Sequence, residues 1–264
     1  MATYRKKQGI RTGRILRMRG SRTRMVGGRL MRRTARAWCR YTAGARIIWI
    51  SNVWAARPPT PQAARAFGAA LARMHDAGAE YFGSAPDGYN GTCYFGPLQD
   101  PVKMDTGEWT DPISYFADGR LRPMVNLGVR RGELDKRDVE LTERVIEALP
   151  DLMGRAASDK PARIHGDLWS GNVMWTADSG QPEAVLIDPA AHGGHREEDL
   201  AMLRLFGMSY LSEITEGYQS VHPLKAGWQE RITLWQLYPI AGHCVFFGGG
   251  YVNEYRSMCR SLLK

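Results

Sequence analysis

With 264 residues and 44% hydrophobic content, the chain carries enough apolar material for one substantial core or for two lobes around a cleft. Its net charge of +9 averages two unlike parts: residues 1–75 hold sixteen Arg and two Lys with no Asp or Glu, while the remainder is net −9. Four scattered cysteines (Cys39, Cys93, Cys244, Cys259) form no C-x-x-C pair, which argues against a disulfide-framed secreted scaffold and for free thiols in a reducing, cytoplasmic compartment.

Residues 1 to about 55 show little usable periodicity (RTGRILRMRGSRTRMVGGRLMRRTARAWCRYTAGAR). Dense arginine without acid fits an arm for nucleic acid or an anionic surface. It also fits a transit peptide, or the translation of a shifted frame in a GC-rich gene. The lack of any acid over so long a stretch favours the third. No apolar core follows the basic start, as a secretory signal would require. Gly27-Gly28 alone is weak as a phosphate loop, and no Walker A motif is present.

Thr60-Pro61 supplies an N-cap hydroxyl and a first-turn proline for a helix with Ala63, Ala64, Phe67, Leu71 and Met74 on one face, stopped near Gly78. His75 on that helix reads as packed or solvated rather than catalytic. Gly83 to Asp111 reads as a long loop rich in Gly, Pro and aromatics, with Tyr89, Tyr94 and Trp109 as candidates for ligand contact or for plugging the loop onto the core. Asp135 can cap a following helix whose buried side would run Leu141, Val145, Leu149 and Leu152.

The densest chemistry lies in His165-Gly166-Asp167-Leu168-Trp169-Ser170-Gly171-Asn172 and in Ile187-Asp188-Pro189. Asp167 and Asn172 are five residues apart, the spacing of a kinase catalytic loop, and Asp188 ends the apolar run Ala184–Ile187. Val173–Trp175 and Ala184–Ile187 read as two strands joined through the turn formers TADSGQP. Such a hairpin returns Asp188 to the end where Asn172 sits, so an amide oxygen and a carboxylate can share a magnesium ion with nucleotide phosphates. Asp167 is then free to face a substrate hydroxyl and accept its proton. His165 would brace the loop through its ring nitrogens. Trp169 would stack on a sugar or amine, or fill core.

Further along, Glu197 to Phe206 reads as an amphipathic helix ending at Gly207. Residues 232–247 are interrupted by Gln236, Pro239 and His243, and read as a buried helix, not a membrane span. Phe247-Gly248-Gly249-Gly250-Tyr251 reads as a tight turn or a place of close ligand approach. His192 and His195 flank two glycines, and a zinc reading there lacks further ligands.

The runs HGDLWSGN, LIDPAAHGGHREEDLAMLRLFG and LYPIAGHCVFFGGGY, with ARPPTPQAARAFGAALARMH and FGSAPDGYNGTCYFGPL, resemble the fructosamine kinase (ketosamine-3-kinase) family over roughly Ala56 to Val252. The resemblance implies an α+β, protein-kinase-like two-lobed fold, with residues 57–264 as a helical catalytic lobe. Residues 1–56 would be an anomalous remnant of the small ATP-binding lobe, truncated or scrambled. It implies ATP-dependent, magnesium-assisted phosphorylation of a sugar hydroxyl on a glycated amine or lysine, followed by loss of the adduct (deglycation). Asp167 would be the catalytic base, Asn172 and Asp188 the metal ligands, and Lys6 the nucleotide lysine. Asp199 would support the loop by accepting backbone N–H bonds. No acid in the first 75 residues can pair with Lys6 as kinase-like sites require. The alternatives are an aminoglycoside-type small-molecule phosphotransferase and a non-catalytic protein holding nucleic acid through its basic arm.

Overall fold

The computed structural model describes residues 16–18, 57–97, 99–176 and 182–264. Lys6 and Cys39 lie outside the described residues, as do the centre of the hairpin turn and nearly all of the segment assigned above to a small lobe.

Helix α1 (Pro61–Asp76) starts with Thr60 extended and its hydroxyl accepting from the Ala63 N–H at 3.2 Å. Ala63, Ala64, Phe67, Leu71 and Met74 are all buried, as the spacing predicts. The helix packs on α7 (Leu211–Gln219) and a hairpin of β5 (Val173–Thr176) and β6 (Glu183–Leu186), and Ala64, Phe67, Leu71 and Met74 form one core with Leu168, Leu200, Leu203, Ile214 and Tyr218. Glycines let α1 and α7 meet: a Cβ on Gly68 would lie 1.9 Å from the Ile214 carbonyl oxygen, and one on Gly217 2.0 Å from that of Arg65.

The hairpin is antiparallel, with Val173 opposite Leu186 and Thr176 opposite Glu183, and β1 (Leu16–Met18) lies antiparallel along the outside of β6. A second pair joins β4 (Ala162–Ile164) to β7 (His192–Gly194), with Ile164 opposite His192. These two pairs bracket residues 165–172 and 187–191 and bring them side by side.

The larger core gathers the helices of the remaining chain. α8 (Ile232–Phe247) runs through it with Pro239 inside, buried on nearly every side, and α9 (Gly250–Leu262) returns after a turn at Gly248 and Gly249. Among the described residues no helix is long and apolar enough to cross a membrane.

Three sequence expectations need correction. The stretch from Gly83 to Asp111 is not all loop: β2 (Cys93–Phe95) pairs with β3 (Val102–Met104), and three-residue strands are too short to show a readable alternation. The helix capped by Asp135 does not reach Leu152. α4 (Lys136–Glu147) stops, and Leu149 and Leu152 sit on a separate short helix α5 (Leu149–Met153). Pro150 is the reason, since it has no N–H to give and its ring clashes with the carbonyl of the preceding turn. The third correction is an omission: α2 (Pro112–Phe116), a π-helical turn (Ala117–Leu121) and α3 (Arg122–Arg131) occupy a region left unread. Asp111-Pro112 was the available signal, an N-cap carboxylate accepting from Ser114 N–H at 2.8 Å with proline in the first turn.

Candidate active site

The loop after β4 is shaped by one buried carboxylate. Asp199, on α6 (Arg196–Leu205), accepts from the backbone N–H of His165 at 2.7 Å and of Gly166 at 2.9 Å, and contacts His75 Nε2 at 3.1 Å. Burial alone would raise its pKa. The His75 bond and the charges and N–H groups around it outweigh that and hold the carboxyl below its ordinary value. His75 is itself buried, with Nδ1 2.8 Å from the Tyr218 hydroxyl, so it is a strut between α1, α6 and α7.

His165 ties the two halves of the site together. Its Nδ1 accepts from the Asp167 N–H at 3.2 Å, so Nε2 carries the ring proton and donates to the Ile187 carbonyl at 3.0 Å. Burial holds the ring below its usual pKa, in keeping with this neutral tautomer. Gly166 takes φ +79°, and a Cβ there would fall 2.3 Å from the Ala190 carbonyl oxygen.

Asn172 is buried on a single 3₁₀ turn (Ser170–Asn172), and its Nδ2 donates to the Asp167 carbonyl at 2.7 Å and to Asp167 Oδ2 at 3.1 Å. With the nitrogen so engaged, the amide oxygen is the atom available to a cation. Across the hairpin the Ile187 N–H donates to the Asn172 carbonyl at 3.1 Å, so the register of β5 and β6 carries on to Asp188. Asp188 holds φ +49° ahead of Pro189, a conformation worth about 1–3 kcal/mol of strain for a non-glycine residue. The bonds clamping Ile187 on both sides hold it there.

Asp167 has its carboxyl pushed up to about 7, first by burial and then by the charges of Asp188 and Asp199, against the opposing bond from Asn172. The residue is half-buried, not sealed, so a ligand can reach it. A hard cation fits this donor set: a carboxylate and an amide oxygen are at hand, and positive charge relieves the repulsion between Asp167 and Asp188. Among the described residues no three His, Cys, Asp or Glu side chains cluster as a metal site; Asn172 and Asp188 would hold such an ion together with phosphate oxygens and water. His192 and His195 are engaged with protein partners, Tyr115 and the Glu197 N–H among them.

Trp169 is 39% exposed and lies over Gly171, where a Cβ would sit 2.1 Å from the indole. Its edge meets Phe206 at 6.1 Å, Phe206 meets His243 at 5.1 Å, and His243 meets Tyr251 at 4.8 Å and Phe247 at 5.5 Å. This aromatic ledge leads away from the loop to the α8–α9 turn. Sequence reasoning found Trp169 but missed the rest. Of the other aromatics named, Trp109 packs against the Tyr115 ring and pairs with Phe82, Tyr89 bonds the Thr92 carbonyl, and Tyr94 is exposed.

A mixed helix-and-strand chain with this loop and hairpin has solved counterparts. It superposes on a Thermobifida fusca protein assigned as a fructosamine-3-kinase with a TM-score of 0.71 at 44% identity, covering 82% of this chain and 69% of that one. A Haemophilus somnus structure at 19% identity shares the fold, with a TM-score of 0.64. The fructosamine kinase family profile matches residues 35–264, and the chain belongs to that family. It is 34% identical over 192 residues to an Enterococcus faecium protein assigned as a ketoamine kinase, and 34% identical over 152 residues to the Mus musculus ketosamine-3-kinase. Those alignments take in 72% and 58% of this chain, and 64% and 47% of the two relatives. The chain therefore spans under two thirds of the length of these relatives.

Proposed function

We propose that this chain transfers the γ-phosphoryl group of ATP to a sugar hydroxyl of a ketoamine, the first step of a deglycation that proceeds in the cytoplasm. The observation that supports it most is the Asn172–Asp167 bond in a loop pinned by Asp199, with Asp188 at the matching end of the facing strand. Asp167 orients the acceptor hydroxyl and takes its proton as the new O–P bond forms and the bond to the ADP oxygen breaks. Asn172 and Asp188 hold magnesium, which when bound neutralises charge across the phosphates. Trp169 and the ledge beyond it receive the amine-bearing part of the acceptor, and His165 and Asp199 keep the loop in register.

The nucleotide side falls to the segment ahead of residue 57, with Lys6 as the phosphate lysine. In a kinase-like two-lobed fold, residues 1–56 would be what remains of the small lobe and residues 57–264 the catalytic lobe. With no acid in residues 1–75 to pair with Lys6, turnover would be impaired. An acceptor screen tests the assignment. With ATP and magnesium, a fructosyl-amine should gain a phosphate on its sugar while aminoglycosides do not. Phosphorylation of aminoglycosides instead would move the chain to the neighbouring class. Absence of any ATP turnover, with salt-sensitive nucleic-acid binding, would favour a binding role for the basic arm.

A further inference from the structure

Next to the loop lies a set of buried polar groups that the chemistry above does not use. The Tyr115 hydroxyl, on α2, sits 2.8 Å from His192 Nε2 and 3.2 Å from Glu198 Oε2, and His192 Nδ1 is 2.6 Å from the Ala190 carbonyl. Glu198 uses its other oxygen to accept the His195 N–H at 2.6 Å, closing the capping box of α6.

Counting protons gives this chain a direction. A carbonyl only accepts, so His192 Nδ1 bears hydrogen, and a neutral ring then has an acceptor at Nε2. Burial, reinforced by the Arg120 charge, pushes His192 down to about 3 and keeps it neutral. Tyr115 therefore gives its single proton to Nε2 and turns an oxygen lone pair toward Glu198. That contact is a hydrogen bond only if Glu198 Oε2 is protonated. With Glu198 ionised, Tyr115 must abandon either the ring nitrogen or the carboxylate, and a buried acceptor is left without its hydrogen bond.

Burial outweighs the charged and polar groups facing Glu198. Burial raises its pKa to about 7, against the pull of Arg120 from the π-helical turn, the His195 N–H and the His195 ring, while Asp199 pushes upward. Tyr115 from α2 and Tyr238 from α8 complete the surroundings. The relay also touches the site. A Cβ on Gly166 would meet the Ala190 carbonyl at 2.3 Å and His192 Cε1 at 2.9 Å, so both press on the residue between His165 and Asp167. Ala190 is itself two residues past Asp188.

We propose that Glu198, Tyr115 and His192 are positioning residues: a one-way hydrogen-bond relay, complete only while Glu198 keeps its proton, that fixes the turn carrying Asp167 and the segment carrying Asp188. The relay rests on the site assignment of the preceding section and adds its regulation, a loss of activity as pH rises through neutrality. The sign follows from linkage. A carboxyl whose folded pKa lies near 7 and whose unfolded value is 4.5 contributes stability at low pH that is lost as pH rises across that window.

The decisive comparison is Glu198→Gln, whose amide nitrogen donates permanently to Tyr115 while its oxygen still accepts from His195. In the full-length protein the wild-type kcat should fall about tenfold above pH 7, the size of one lost buried hydrogen bond, and E198Q should abolish that alkaline limb while keeping the acid-side kcat. Tyr115→Phe should lower kcat on both sides, with little change in the KM for ATP, and E198Q added to it should restore nothing. A readout independent of turnover separates this proposal from the function: the ¹⁵N signals of the His192 ring should titrate near pH 7 in wild type and stay flat in E198Q. Flat wild-type signals, or an E198Q alkaline limb identical to wild type, would overturn the relay. A titrating ring in a protein that phosphorylates no ketoamine would leave the relay standing and sink the function instead.

Discussion

Asp199 has one carboxylate and three calls on it: the backbone N–H groups of His165 and Gly166 and the His75 ring. Asp199→Ala leaves those donors buried without an acceptor, at about 1–3 kcal/mol each. Urea unfolding should register a loss of at least about 3 kcal/mol, and an unchanged midpoint would remove Asp199 as the loop's anchor. Trp169 makes a different kind of prediction, because it is exposed and touches the loop mainly through Gly171. Trp169→Ala should raise the KM for the ketoamine about fivefold, in line with loss of an aromatic contact worth roughly 1 kcal/mol, with stability unmoved. An unchanged KM with a lowered melting temperature would make the indole a structural plug. The residues of the loop and hairpin were legible because they are local: five-residue spacing and a two-strand return bring Asp167, Asn172 and Asp188 together whatever the rest of the chain does. Phe206, His243, Tyr115 and His75 were not legible in these roles. They meet through helices distant in sequence, and nothing in their own neighbourhoods marks the partner.

Helices were readable where caps and periodicity agreed, as at Thr60-Pro61 and at Asp135, whose carboxylate accepts from Arg137 and Asp138 N–H groups. They were misread where apolar spacing continued through a proline, as at Pro150, because a hydrophobic period alone does not report a missing backbone donor. The α1–α7 crossing is a further feature invisible to periodicity, since a glycine in a helix reads as a weakness until its neighbour is known. A methyl on Gly68 would strike the Ile214 carbonyl, which is backbone and cannot rotate away. Gly68→Ala should therefore destabilise by about 1–3 kcal/mol despite the better helix propensity of alanine. A stabilised variant in thermal melts would show that the two helices slide apart freely.

At the scale of the whole molecule, the charge division is the least ordinary property: +18 over residues 1–75 and −9 over the rest. The family match begins at residue 35, within the arginine-rich part. We propose that a shifted frame underlies this segment, and reading codons 5 to 57 in all three frames should then yield a glycine turn and an acidic partner for a nucleotide lysine. A continuous frame with these same codons in near relatives would refute it. The candidate site does not depend on that outcome, because its loop, hairpin and supporting helices all come from residues 57–264. The most direct test is ATP-dependent phosphorylation of a fructosyl-amine by the full-length protein beside its Asp167→Ala variant, followed by mass analysis of the sugar. Wild type should add one phosphate, and the variant should be slower by at least about a hundredfold, the usual worth of a general base; equal rates in the two proteins would contradict the account.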